Sequence, residues 1–446
     1  MVVSLARGAL LNLAGHVAPL VAALVAVPLL VTRLDPVRFG FLSLAWIIVG
    51  YFGLFDLGLG RALTRLIAAR INTPRESELP VLARTALLVL FGMGCIAGGV
   101  LFVTSRWLCS DILNLPDAFR DEAAAGLKAL AVCLPLVMLT AAYRGILEAR
   151  QRFGWVNALR IPMGILTFLV PVAVTEYSVD LFTVCVALAA MRVFGGIAHW
   201  TVCVRLCPEF VCLGVPSRDG FSEMFSYGIW LTVSNVVGPL MVYLDRFVIG
   251  ALVSVAAVAY YAAPYEIVTR LWLVPAALTG VLFPVFASSF TADVAHTRRI
   301  YRKAIIVLIT TMLPLVIMTA LFADYWLTAW LSADYAREGA AIAQILSVGV
   351  LFNSVAHIPF SLLQATGRAD WTAKLHILEL PIYVAALFWT VPRFGINGAA
   401  AVWTGRCMLD TVALFFLAHR KMRYRDADLA ASTRLESGNF GRDARR

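Results

Sequence analysis

The sequence predicts an all-α, polytopic membrane protein: about twelve transmembrane helices in two pseudo-symmetric six-helix lobes around a central cavity. Three observations carry that expectation. The chain of 446 residues is 61% hydrophobic and only 14% charged, with a mean hydropathy of +0.83; a soluble domain is about 45–50% apolar and about 25% charged. Its apolar segments run to about 20 residues each, the length of a helical span rather than of a ~10-residue barrel strand, and inside lipid a helix satisfies its own backbone. Finally, near residue 221 the chain starts again, and its second half echoes the first.

In chain order the spans fall near 9–32, 39–60, 84–105, 126–147, 155–175, 179–203, 222–250, 255–287, 303–323, 339–363, 372–392 and 396–418. The first apolar run exceeds the ~7–15 residues of a signal-peptide core and reads as a retained span. Spans seven and eight are longer than a bilayer requires, which predicts tilted or projecting helices. The 37 basic residues set the orientation. Twenty-six lie in connections on the N-terminal side and eight on the other, so the positive-inside rule places both termini in the cytoplasm. The net charge of +10 therefore reports topology and implies no nucleic acid. The largest outer connection, near 106–125, predicts a short surface helix. The polar, basic tail from Arg420 reads as disordered and held to anionic membrane lipid.

The internal repeat is explicit. Residues 145–161, GILEARQRFGWVNALRI, lie over 361–377, SLLQATGRADWTAKLHI, without gaps. Leu147/Leu363, Ala149/Ala365, Arg152/Arg368, Trp155/Trp371, Leu159/Leu375 and Ile161/Ile377 are identical. Both segments join the fourth and fifth spans of their own half. Glu122 lies over Glu338 at the same offset, and Arg192 and Arg406 fall close to it. The expected domains are an N-terminal lobe, 1–205, a cytoplasmic linker, 206–220, a C-terminal lobe, 221–419, and the tail, 420–446. Two lobes with an even number of spans share one orientation, as in transporters that rock two bundles about a central site.

The string YLDRFVIGALVSVAAVAYYAAPYEI, 243–267, resembles the seventh-to-eighth helix signature of polysaccharide-biosynthesis flippases. RLDPVRFGFLSLAWIIVGYFGLFDLGLGRALTR, 33–65, is similar to that family's first-to-second helix connection. The family belongs to the multidrug/oligosaccharidyl-lipid/polysaccharide (MOP) exporter superfamily, and the likeness spans roughly residues 5–420. It implies a bacterial inner-membrane protein that carries undecaprenyl-pyrophosphate-linked oligosaccharide to the outer leaflet, with helices one, two, seven and eight lining the cavity. The partners it implies are lipid-linked oligosaccharide, membrane lipids, and a polysaccharide polymerase with its chain-length machinery. Two other readings stay open: an ion-coupled drug exporter of the same superfamily, and a membrane-bound polymerase or ligase.

Charges in apolar spans are costly and usually mark function or a specific pair. Glu266 lies about 16 Å into span eight, at 1.5 Å per residue, close to the midplane. Arg270 follows at i+4, the favoured acid-then-base order. On a helix resembling a cavity wall, Arg270 is the candidate for a cargo phosphate, which suits a guanidinium, and Glu266 for its partner or for an ion. A self-neutralised packing pair is the plainer alternative. Asp245 and Arg246 near the outer end of span seven are further substrate-binding candidates, although snorkelling at the interface accounts for them more simply. Asp56 and Glu379 join Glu266 as ion-coupling candidates. Asp56 also reads as a local partner of Arg61 and Arg65, and Glu379 and His357 as satisfied buried polar groups. Arg192 and Arg406 read as structural.

No cofactor or metal is expected. Cys203, Cys207 and Cys212 cluster, but no further ligand completes a tetrahedral set. Gly94 and Gly98 form GxxxG, a close-packing motif, with no strand–helix context for a nucleotide. HExxH, a Walker loop and a long outer loop that could house a polymerase site are all missing from the sequence, so the protein is not expected to be an enzyme.

Overall fold

A computed structural model describes residues 2–52, 59–71, 73–210, 237–238 and 240–443. Among them there is no strand. The helices are α1 (Val2–Arg33), α2 (Pro36–Phe52), α3 (Leu59–Arg70), α4 (Leu79–Trp107), α5 (Asp117–Ala149), α6 (Phe153–Val174), α7 (Leu181–Leu206), α8 (240–252), α9 (Val255–Val268), α10 (Leu273–Ala292), α11 (Val294–Leu321), α12 (Ala323–Trp330), α13 (Ala333–Ala365) and α14 (Ala369–Asp443). Among the described residues eight stretches are long and apolar enough to cross a bilayer, with Ala18–Arg33 and Pro36–Ile48 as shorter apolar helices. Large apolar side chains such as Ile96, Val103, Phe194 and Leu409 are exposed, as a surface solvated by lipid tails requires.

The chain forms two compact units. One comprises Met1–Ala263 with Trp330–Ser332, and the other Pro264–Ala329 with Ala333–Arg446. In the first, GxxxG does what its spacing predicts: a Cβ on Gly94 would stand 2.5 Å from the Pro135 backbone, and one on Gly98 would stand 2.6 Å from the Ala131 carbonyl oxygen. Only hydrogen lets α4 and α5 approach that closely. Leu63, Ile67, Leu90, Ile146 and Phe210 form a buried apolar core beneath them. Ion pairs pin both ends of this unit. Arg33 meets Glu176 at 2.5 Å and Arg38 meets Glu122 at 3.3 Å; at the opposite end Arg150 meets Glu209 at 2.9 Å and Glu76 at 3.5 Å.

In the second unit α14 folds back on itself. A straight helix would hold positions 376 and 410 about 51 Å apart, yet His376 Nε2 lies 3.5 Å from Asp410 Oδ1. Gly395 makes the reversal at φ 57°, ψ −143°, backbone that a side chain disfavours. The nested contacts Trp371/Arg420 and Tyr383/Arg406 follow from the hairpin. α14 thus supplies spans eleven and twelve. Thr404 and Thr411 donate to the Ile345 and Phe352 carbonyls of α13 at 2.9 and 3.0 Å, so α13 and the last span run parallel.

The repeat extends to backbone geometry. Gln151 and Gly367, 216 positions apart, both adopt positive φ, 57° and 75°. Each sits just beyond a helix end. Arg152 N–H donates to the Leu147 carbonyl at 2.8 Å, and Arg368 N–H to the Leu363 carbonyl at 2.9 Å, the long-range bond of a Schellman cap.

Three expectations are corrected. The outer connection after span three holds no separate surface helix. A π-turn, Leu108–Ile112, prolongs α4, and Pro116 then precedes the first turn of α5, leaving no room for an extra helix. The tail is helical to Asp443, which its alanine, arginine and leucine favour. Span eight is two helices, α9 and α10, joined by a 3₁₀ turn, Thr269–Trp272.

Candidate functional site

The break in span eight has a covalent origin. Pro264 and Pro275 lie within the span, and proline cannot donate the bond that holds one helical turn to the last. Between them the backbone tightens into the 3₁₀ turn, a form that inside a helix often marks a functional hinge. Glu266 lies in the last turn of α9 and Arg270 on the 3₁₀ turn that follows. The guanidinium donates to Glu266 Oε2 at 2.5 Å, and the two side chains stay 37% and 36% exposed. Nearby, Tyr265, Trp272 and Trp403 form an aromatic cluster with centroids 5.6–6.4 Å apart. Trp403 lies against Gly349 of α13, where an added Cβ would meet its ring at 2.5 Å. The ion pair is therefore accessible beside a rigid aromatic base.

Asp245 and Arg246, on α8, lie in the other compact unit, in a contrasting environment. They are 0% and 2% exposed. Tyr261 donates its hydroxyl to Asp245 Oδ2 at 2.6 Å, and the Arg246 N–H donates to Oδ1 at 2.8 Å. The Arg246 guanidinium lies 5.5 Å from the Tyr243 ring centroid. The snorkelling placement expected for this couple is not the one adopted, because the Tyr261 hydroxyl supplies a buried donor. The Tyr261 hydroxyl is thus committed to Asp245.

Glu379 stands in a cluster the sequence did not assemble. His376, Glu379 and Asp410 each bring a ligand-type atom, all within 4.8 Å of one another. Phe360 stacks on the His376 ring at 6.2 Å with an interplanar angle of 12°. His357 donates to the Asn353 carbonyl at 2.8 Å. Arg406 does not meet Asp410, its neighbour one turn on; its guanidinium lies 5.7 Å from the Tyr383 ring centroid and donates to Cys407 Sγ at 3.5 Å. His376 was missed. Its i+3 spacing to Glu379 was the available signal, but Asp410 is across the Gly395 reversal. In the first unit Arg192 donates to Thr167 Oγ1 at 3.3 Å. Asp56 and Cys212 lie outside the described residues.

Residues 5–290 match the family model described as "Polysaccharide biosynthesis protein", and the chain belongs to that family. A protein of Shigella flexneri, named as a candidate O-antigen transporter, is 30% identical over 94% of this chain and 98% of its own length. A Haloferax volcanii protein, named as a candidate flippase AglR, is 21% identical over 89% of this chain and 79% of its own. A solved multidrug-resistance MATE family transporter of the MOP superfamily, in an inward-facing conformation, superposes with a TM-score of 0.78 over 93% of this chain and 99% of that one, at 14% identity. The chain thus has a MATE-like fold and is a multi-span membrane protein of the polysaccharide-biosynthesis family, similar over nearly its whole length to a named transporter.

Proposed function

We propose that the protein moves undecaprenyl-pyrophosphate-linked oligosaccharide from the inner to the outer leaflet of the bacterial inner membrane by alternating access, with both termini cytoplasmic. The observation that carries this reading is the end-to-end likeness to the Shigella protein, which spans 98% of that relative. The drug-exporter alternative has fold likeness at 14% identity behind it. The mobile lobes of this reading are 1–205 and 221–419, joined by 206–220, a division set by the repeat and not by the packing boundary at Ala263/Pro264. A polymerase and its chain-length machinery receive the product.

Arg270 is the cargo-phosphate residue in this reading. Its guanidinium is accessible, near the midplane, and on the 3₁₀ turn of span eight, and its present partner Glu266 is an exchangeable one. A phosphate oxygen replaces the Glu266 carboxylate, which then takes an ion. Asp245 and Arg246, sealed at 0% and 2% exposure, hold α8 in place. Glu379, with Asp410, is the second ion-coupling carboxylate, away from the cargo contact. The measurement is accessibility of the lipid-linked glycan to an impermeant lectin in right-side-out and inverted vesicles. Deletion of the gene should trap glycan on the cytoplasmic leaflet. Unchanged leaflet distribution and unchanged surface polysaccharide, in a strain without a redundant transporter, would overturn the reading.

A further inference from the structure

The polar centre of α14 holds more than two coupled carboxylates. We infer that His376, Glu379 and Asp410 form a binding site for one divalent transition-metal ion. This names the class of ion taken at the Glu379 site of the reading above, and it contradicts the expectation of no metal.

The first observation is spacing. His376 Nε2 and Asp410 Oδ1 are 3.5 Å apart, and the three ligand atoms all fall within 4.8 Å. A hydrogen-bonded pair would stand about 2.7–3.2 Å apart. Metal bonds of about 2.0–2.2 Å at tetrahedral angles hold neighbouring ligand atoms roughly 3.3–3.6 Å apart. The His376–Asp410 separation lies in that range, and the Glu379 atom, within 4.8 Å, closes in on binding.

The second is unmet bonding. Asp410 is only 5% exposed, and neither its Oδ1 nor the buried Glu379 Oε2 has a hydrogen-bond partner at ordinary geometry, so without an ion the two carboxyls must share a proton. Carboxylate oxygens are costly to bury without a partner. A dication between them satisfies both and cancels their two charges.

The third is ligand type. One imidazole with two carboxylates is a set for zinc, manganese or iron. Magnesium and calcium prefer oxygen alone. Arg406 turns its guanidinium to the Tyr383 ring and Cys407 sulfur, so it forms no ion pair in the site, while its charge still acts on Glu379 and Asp410 and a bound dication must outcompete it. His357, on α13, is held by its own Asn353 carbonyl. Phe360 fixes the His376 ring by stacking. The ligands come from both arms of the hairpin, so a bound ion clamps spans eleven and twelve. At the 216-residue offset the first half has Arg160, Met163 and Phe194, which cannot form such a site.

The test uses the full-length protein, purified with a histidine-free tag and dialysed against zinc or manganese. Bound metal is counted by inductively coupled plasma mass spectrometry and affinity is measured by calorimetry. The expected result is one equivalent per chain. Binding should weaken at least tenfold in His376→Ala and Asp410→Asn, persist for zinc in His376→Cys, and tighten as pH rises because the ligands must be deprotonated. Wild-type protein that takes up no metal, or only protons, overturns the inference, as does full binding by His376→Ala. The wild-type measurement decides the matter even if a variant fails to fold. No transport is measured, so failure here leaves the flippase reading standing, and the converse holds.

Discussion

Twenty-one residues separate Asp245 from Glu266 in one apolar stretch, and each has an arginine close by in sequence. Their environments are opposite. Asp245 and Arg246 are sealed from solvent, with the Tyr261 hydroxyl on the carboxylate at 2.6 Å. Glu266 and Arg270 keep more than a third of their side chains exposed. The same chemical groups thus serve two ends. A charge that has been fully desolvated and given fixed partners holds structure, because loss of one partner strands another in low dielectric. An exposed i,i+4 pair contributes about 0–1 kcal/mol, and can exchange its partner for a ligand at little cost.

The sharpest way to break this contrast is Asp245→Ala. It removes the acceptor of both the Tyr261 hydroxyl and the Arg246 N–H, and should destabilise the protein by about 1–3 kcal/mol for each buried donor left orphaned. Thermal unfolding in detergent checks it, and a wild-type melting temperature would place Asp245 with the exchangeable charges. Next comes Arg270→Ala. Transport in vesicles should fall at least tenfold at equal protein level, with thermal stability changed by no more than about 1 kcal/mol. Arg192→Ala should harm transport less. Equal activity of Arg270→Ala and wild type would remove Arg270 from the site. Tyr261→Phe removes the hydroxyl donated to the buried Asp245 Oδ2 and should cost about 1–3 kcal/mol, read as a lowered melting temperature with transport retained. The smallest effect belongs to a position outside both couples. Gln151→Gly relieves a non-glycine residue at φ 57°, a gain of about 1 kcal/mol at most after the entropy of a freer unfolded chain. A loss of stability on calorimetry would mean that the Gln151 side chain contributes more than its backbone strain costs.

Much of the frame was legible because it rests on local rules. Span length, GxxxG packing and the repeat of Leu147–Arg152 over Leu363–Arg368 each follow from neighbours in sequence. The repeat even matched two left-handed residues, although one is glutamine. The break in span eight was only half legible. Pro264 and Pro275 announced a weakened helix, but prolines do not specify that the chain tightens into a 3₁₀ turn between them. The site was harder to read. The burial of Asp245 depends on Tyr261, sixteen positions on, and the grouping of His376 with Asp410 depends on a hairpin of more than thirty residues. Side-chain partners at that distance leave no periodic trace.

The Gly395 reversal also bears on how the protein is made. Only a few residues separate spans eleven and twelve, so the pair is a helical pin short enough to insert as one unit. A β-branched residue at 395 would oppose the turn, because its side chain disfavours positive φ. A single glycine thereby sets the direction in which the last span leaves the turn.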